Sequence, residues 1–178
     1  MRKAALYYGF TMIELLIVVA IMSILTGAIL PGFNSYVTNQ NLRQAQEQIK
    51  NDLRSTQIKA LAGSFSDDIN VKYWGVHFRP DSGTYDYFTS LNTTDPILCT
   101  DSYNTTTYIL RSVSTKLPSD LRYTGSSHRC VFFNNDNGDI VNTGAVIVGA
   151  SGATSNCRRV EMNGPGRIII NLTNMSCS

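Results

Sequence analysis

The residue best placed to do chemistry is Glu14, a lone carboxylate inside an apolar stretch that spans residues 10–30. An ionised side chain in a membrane-length apolar helix costs roughly 3 kcal/mol unless it meets a partner, so such a residue marks a functional position. The segment before the stretch, residues 1–9, carries two basic side chains and ends in Gly9. This arrangement predicts a leader that is removed after Gly9 on the cytoplasmic side, leaving Phe10 as the first residue.

Two ordinary alternatives exist for this N-terminal segment, a secretory signal and a plain membrane anchor. A secretory signal has no acid in its apolar region and usually ends in a small-residue cleavage site just after that region. Glu14 therefore argues against a secretory signal, and a plain anchor has no use for a carboxylate at this depth.

The run from Gly9 to Glu14 resembles the class III signal of type IV prepilins and type II secretion pseudopilins. In that family a prepilin peptidase cleaves after the glycine and N-methylates the next residue, here Phe10. Glu14 is then the fifth mature residue, which the resemblance implies is the assembly glutamate. Its carboxylate would neutralise the positive N-terminal amine of a neighbouring subunit buried in lipid.

A long helix in two parts is predicted after the leader. Residues 10–31 are long enough to cross a bilayer and form the transmembrane or filament-core part. Pro31 ends the apolar run and predicts a kink, because proline removes a backbone hydrogen bond. Residues 32–62 form an amphipathic part that ends at Gly63. Its apolar stripe recurs at steps of three and four residues: Leu42, Ala45, Ile49, Leu53, Thr56 and Ala60.

The C-terminal domain, residues 63–178, has the alternation and turn signals of β-strands. The Asp81-Ser82-Gly83 and Asn137-Gly138 segments predict turns. We therefore predict an α+β fold in which the long helix packs on an antiparallel sheet, the lollipop arrangement that the pilin resemblance also implies. The predicted strands are Ile69–Phe78, Thr84–Ser90, Thr107–Ser112, Arg129–Phe133, Ala145–Val148 and Arg167–Leu172.

Composition excludes several functions. The formal charge of the 178-residue chain is +2 and falls to zero with loss of the two leader cations, so no global basic field indicates nucleic acid. The C-terminal half is locally basic, which favours a solvated surface or an acidic neighbour. His77 and His128 stand apart from any nucleophile with an acid orienter, so we predict no enzyme. We also expect no cofactor.

Four cysteines, Cys99, Cys130, Cys157 and Cys177, all lie in the predicted extracytoplasmic domain, where disulfides form. Four cysteines allow three pairings, which sequence alone does not separate. We favour Cys99–Cys130 and Cys157–Cys177, because many pilins close a C-terminal loop in the second way. Zinc is the alternative, but no C-x-x-C spacing supports it, so we predict no metal.

Three further segments narrow the resemblance to the GspH/FimT family of minor pseudopilins and minor pilins. Residues 52–60, 131–138 and 166–170 are similar to that family's D-L-R-x-A-R-x-x-A-I, F-x-x-D-G and G-R-V-R elements. The sequence departs from the first element at Thr56 and Gln57.

One branch of that family binds DNA through a C-terminal G-R-x-R element. Arginine suits this role because its planar guanidinium group can form two hydrogen bonds to phosphate oxygens. Here Gly166 and Arg167 match the element, and Ile169 replaces its second arginine. Arg158 and Arg159 are candidates to compensate, so the candidate DNA site is Arg158, Arg159 and Arg167.

The sequence thus predicts a non-catalytic subunit that primes or caps a type IV pilus or a type II secretion pseudopilus. The alternatives are a pilus-tip DNA receptor for natural transformation and a major structural pilin. The resemblance implies other pilin or pseudopilin subunits, the prepilin peptidase, the inner-membrane assembly platform and membrane lipid as partners. It also implies a single-pass inner-membrane protein whose C-terminal domain faces the periplasm before assembly.

Overall fold

The structure is a computed structural model that describes residues 9–63, 71–91, 108–110, 115–118, 121–125, 129–163 and 167–177; the side chains of residues 28–32, 108–110 and 170–174 lie outside this description. Within these residues, one long helix precedes nine strands. In chain order the elements are α1 (Met12–Leu61), β1 (Tyr73–Phe78), β2 (Thr84–Ser90), β3 (Tyr108–Leu110), β4 (Thr115–Lys116), β5 (Leu121–Tyr123), β6 (Arg129–Asn134), β7 (Gly144–Ala150), β8 (Cys157–Asn163) and β9 (Arg167–Met175).

Helix α1 has a defined start and a defined end. At its start the Thr11 hydroxyl accepts a hydrogen bond from the Glu14 backbone N–H at 3.3 Å, which satisfies one of the unpaired donors of the first turn. At its end Gly63 has a φ of 55°, and its N–H donates to the Ala60 carbonyl at 3.1 Å. The predicted stop at Gly63 is where the helix ends. The helical backbone continues through residue 31, so the helix is not broken there, and a kink at Pro31 stays a prediction.

The chain divides into two compact units, Met1–Asn39 and Gln40–Ser178, and α1 contributes residues to both. In the second unit the strands form two antiparallel sheets. Sheet A has the order β3-β2-β1-β6, with β4 also paired to β2. Sheet B has the order β5-β7-β8-β9.

The main core lies between the helix and the two sheets. All six residues of the predicted stripe are buried, with exposures of 1% or less. Sheet A contributes Trp74, Val76 and Phe78, and sheet B contributes Val160 and Met162. Burying one leucine or isoleucine stabilises the fold by about 2 kcal/mol, so this stripe fixes which helix face meets the sheets.

Glutamines complete the attachment of the helix to the sheets. The Gln46 Nε2 donates to the Arg159 carbonyl at 2.7 Å, on sheet B. The Gln57 Nε2 donates to the Gly138 carbonyl at 2.9 Å, in the turn after β6. These bonds pair side-chain donors with strand and turn carbonyls, so the helix is held by directional contacts as well as by apolar burial.

The open edge of β6 is covered by a side chain. The Asn142 Oδ1 accepts from the Phe132 N–H at 3.0 Å, and its Nδ2 donates to the Cys130 carbonyl. The Val141 N–H also donates to the Phe132 carbonyl at 3.0 Å. One asparagine thus imitates the hydrogen bonding of a neighbouring strand.

The predicted α+β fold, a long helix packed on antiparallel sheet, is confirmed. Strand β2 has the predicted bounds, and β1, β6, β7 and β9 overlap their predicted segments. Of the segment Thr107–Ser112 the structure describes residues 108–110, as β3. Strands β4, β5 and β8 were not predicted.

Candidate functional site

The N-terminal end of α1 holds the residues that the sequence singled out. Gly9 and Phe10 precede the helix, and the Phe10 side chain is 79% exposed. Glu14 lies in the first turn. A carboxylate there is favourably placed, because the unpaired N–H groups give a helix N-terminus a partial positive charge. Among the described residues no cation pairs with Glu14.

Thr11 caps the helix that carries Glu14, a structural role that the sequence analysis did not assign to it. Its hydroxyl caps the helix in the pattern Thr-x-x-Glu, which is a recognisable signature of a helix start. In an apolar environment an unpaired backbone N–H costs several-fold more than in water, so a cap at this end has particular value.

The helix surface before and after Glu14 is apolar on all sides. Its large apolar side chains are between 41% and 84% exposed in the single chain: Met12, Ile13, Leu15, Leu16, Ile17, Val18, Val19, Ile21, Met22, Ile24 and Leu25. The two hydroxyl groups in this stretch bond backward to carbonyls, Ser23 to Val19 at 2.8 Å and Thr26 to Met22 at 2.7 Å. Such back-bonding satisfies a hydroxyl that has no water to meet.

This apolar surface is expected to contact another protein or a membrane, because contiguous exposed apolar patches mark such contacts. Over the residues described, no helix combines the length and the mean hydropathy needed to cross a membrane. The predicted boundary between a transmembrane part and an amphipathic part stays a prediction.

The Cys157–Cys177 disulfide that we favoured is present and joins β8 to the end of the chain. Gly149 on β7 lies beneath it, and a Cβ at that position would be 2.1 Å from the Cys157 Sγ. Cys130 is also disulfide-bonded. Its expected partner, Cys99, lies outside the described residues.

The three candidate DNA-binding arginines do not form one surface. Arg158 lies on the face of β8 that also carries Val160 and Met162, and it is only 7% exposed. Burial and the neighbouring Arg43 lower its pKa. Arg159 and Arg167 share the opposite face of sheet B, as the β8–β9 register requires. Arg159 forms an ion pair with Glu161 at 3.1 Å.

Of the two histidines, the structure describes His77. His77 is fully buried on β1, where Asp86 and Cys130 are its cross-strand neighbours, and the cysteine is in a disulfide. His128 lies outside the described residues. Within the described part of the chain, no three His, Cys, Asp or Glu side chains cluster as a metal site.

The predicted turn at Asn137-Gly138 is present and closes the end of β6. Gly138 has a φ of 69°, and its N–H donates to the Asn134 carbonyl at 2.7 Å. The Lys72 ammonium bonds the Asp136 carboxylate, which raises the pKa of Lys72. This pair ties β1 to the turn.

Two comparisons with known proteins agree with this geometry. Residues 7–30 match the family described as the prokaryotic N-terminal methylation motif. The crystal structure of the type IV minor pilin FimU from Pseudomonas aeruginosa strain PAO1, in space group P21, superposes with a TM-score of 0.52 at 14% identity, over 80% of this chain and 99% of that one. Its second crystal form, P65, gives 0.49 at 14% identity, over 77% and 100%. No curated protein sequence matches the chain.

The chain therefore combines the N-terminal methylation motif of type IV pilins with a pilin-like fold. Its N-terminal segment is of the prokaryotic methylation type, and its fold is pilin-like. The motif implies a membrane-anchored protein that assembles into a pilus. The narrower GspH/FimT placement stays a prediction.

Proposed function

We propose that this protein is a minor subunit that primes or caps a type IV pilus or a type II secretion pseudopilus. The proposal rests on the N-terminal end of α1, where Glu14 lies in a capped first turn and exposed apolar side chains surround it. The apolar side chains keep the helix in lipid or among other helices, and the single charge can select a specific partner there.

Each residue at the N-terminus has a defined part in the proposal. Cleavage after Gly9 by a prepilin peptidase frees the amine of Phe10, which the same enzyme methylates. That amine stays positively charged and is costly in lipid unless a carboxylate pairs with it. Glu14 of a neighbouring subunit supplies the carboxylate. Because the pair forms only at one axial offset between helices, it also sets the register of assembly.

Before assembly the helix lies in the inner membrane and the C-terminal unit lies in the periplasm. The assembly platform then transfers the subunit to the filament. Lipid tails and neighbouring helices are equally apolar, so moving α1 between them changes little apolar exposure. The ion pair at Glu14 then supplies favourable free energy that the subunit gains only when it enters the filament.

The test is Glu14→Gln in the full-length chain, with membrane fractionation and immunoblotting of sheared filaments or pseudopili. We expect normal membrane insertion and a fall in incorporation of about a hundredfold, since an unpaired charge in lipid costs roughly 3 kcal/mol. Glu47→Gln is the matched control, because that exposed α1 acid pairs with Lys50 at 3.1 Å and lies outside the predicted assembly segment. Normal incorporation of the Glu14 variant would refute the assembly role.

The same sheared fractions distinguish a minor subunit from a major one. A minor subunit is present at a small fraction of the filament protein, whereas a major pilin forms the bulk of it. Deleting the gene should then abolish or shorten filaments although little of the subunit is present in them.

A second candidate function, DNA capture at a pilus tip, is favoured by the shared exposed face of Arg159 and Arg167. It predicts binding of double-stranded DNA by the full-length protein in detergent that weakens steeply with salt. Arg159→Gln with Arg167→Gln should abolish the binding, and Arg54→Gln on the exposed side of α1 should not. No binding at low salt would exclude this function.

A further inference from the structure

A cleft of about 390 Å³ opens where the two sheets meet, between the β1–β2 turn and strands β4 and β5. Its lining includes Asp81 and Gly83 from the turn, Lys116 from β4, and Leu121 and Arg122 from β5. The volume falls in the range of small-molecule sites in proteins. Neither the assembly segment nor the candidate DNA face includes this cleft.

The floor of the cleft is held in place by backbone hydrogen bonds from both sides. The Leu117 N–H donates to the Gly83 carbonyl at 2.8 Å, and the Tyr123 N–H donates to the Ser82 carbonyl at 2.9 Å. The Gln48 Nε2 of α1 donates to the Lys116 carbonyl at 3.0 Å. The backbone around the cleft is therefore held in place before a ligand binds, which lowers the conformational entropy lost on binding.

The side chains of the cleft present an uneven set of charges. The Arg122 Nη1 donates to the Asp81 carbonyl at 3.1 Å and lies 3.5 Å from the Asp81 Oδ2. The exposed Lys116 ammonium has no acidic partner among the described residues, and within the same part of the chain no acceptor meets the Gly83 N–H. Among the described residues of the cleft, two cations and one backbone donor thus accompany one carboxylate.

This set selects a particular kind of ligand. The cations and the free N–H suit a carboxylate, which accepts charge-assisted hydrogen bonds. The Asp81 carboxylate repels a simple anion but accepts hydrogen bonds from hydroxyl groups. We propose that the cleft binds a hydroxylated carboxylate, the chemical class that includes the uronic acids. Lys116 and Gly83 would hold the carboxylate, and Asp81 would accept from neighbouring hydroxyls.

The test is a titration of the isotope-labelled full-length protein in detergent micelles, followed by the Gly83 amide signal in NMR spectra. The probes are glucuronate, neutral glucose, inorganic phosphate and an oligogalacturonate. We expect glucuronate to shift the Gly83 signal saturably, and glucose and phosphate to bind at least about tenfold more weakly. If the oligogalacturonate binds more tightly than glucuronate, the natural ligand is a polysaccharide. If the two bind equally per site, the natural ligand is a free sugar acid.

Two variants test the assigned roles. Lys116→Gln should weaken glucuronate about tenfold, and Asp81→Asn should remove the preference for glucuronate over phosphate. The control is Lys50→Gln, which changes a cation on α1 away from the cleft. The proposal is overturned if no probe shifts the Gly83 signal, if phosphate or glucose binds as well as glucuronate, or if Lys116→Gln binds normally. Filament incorporation does not enter the measurement, so the result is independent of the assembly proposal.

Discussion

The contact between Gly149 and the Cys157–Cys177 disulfide makes a quantitative prediction. The bridge closes a loop with a sequence separation of 20 residues. In the chain-entropy account, a loop of this length stabilises the folded state by about 3.3 kcal/mol. A Cβ on residue 149 would lie 2.1 Å from the Cys157 Sγ and 3.2 Å from the Thr124 Cγ2. Gly149→Ala should therefore cost about 2 kcal/mol or more through overpacking.

Removing the sulfur atoms should relieve most of that cost. A Cys157→Ala, Cys177→Ala background removes both sulfur contacts of the new methyl group and leaves the milder Thr124 contact. In that background we expect Gly149→Ala to lower the free energy of unfolding by less than about 1 kcal/mol. The coupling energy between Gly149→Ala and removal of the disulfide is then about 1 kcal/mol or more. Gly152→Ala is a control for backbone strain, because its φ is 70° and nothing lies within 4 Å of a Cβ there.

The assay is chemical denaturation of the four full-length proteins in mild detergent. Trp74 is the one tryptophan of the chain and is buried in the main core, so its fluorescence reports unfolding of the second unit. The midpoint shifts give the free energies of unfolding when the slope with denaturant is unchanged. Equal costs of Gly149→Ala with and without the disulfide would refute the proposed contact.

Two further predictions concern the tyrosines beside α1. The Tyr85 hydroxyl donates to Asp52 and accepts from the Gln48 Nε2 at 3.2 Å, so Tyr85→Phe should cost about 1–3 kcal/mol in denaturation, whereas Tyr36→Phe on the exposed helix should be neutral. Burial raises the pKa of Tyr87 to about 12 from its ordinary 10.0, and burial with the Asp52 bond raises the pKa of Tyr85 further. Because the folded state holds these protons more tightly, stability should be full below pH 10 and fall as the pH rises towards 12; a denaturation midpoint that is flat over this range would contradict the assignment.

Sequence patterns predicted the helix face well because apolar burial has a simple period. Leu42, Ile49 and Leu53 recur at helical spacing, and that spacing alone selects the buried side. The same logic found β2 at its observed bounds, where turn residues come directly before Thr84. Local signals were sufficient in both places.

Strand β8 was missed because its sequence is dominated by charge. Arg158, Arg159 and Glu161 suggest a surface loop, whereas Val160 and Met162 show strand alternation only over a short stretch. Missing the strand also hid the fact that consecutive arginines must point to opposite faces. The error in the strand assignment thus became an error in the grouping of Arg158 with Arg159.

The cleft had no local signature at all. Its charged residues, Lys116 and Arg122, belong to strands of two and three residues, which are too short to show a period. Arg122 meets Asp81 only through pairing between distant segments, and Lys116 lines the same cleft. Sites assembled by long-range contacts of this kind require the fold before they can be recognised. The predicted N-terminal site differs, because Gly9, Phe10 and Glu14 lie within one local segment.

The asparagine that covers the edge of β6 affects how other chains can contact sheet A. An uncovered strand edge is a template on which any extended chain can add. Asn142 fills one donor and one acceptor position on that edge, so a foreign strand would have to displace these bonds before it could add. In the proposed filament, neighbouring subunits would meet sheet A at high local concentration. Asn142, together with the Val141 N–H, thus makes this edge a poor template for a strand of another subunit.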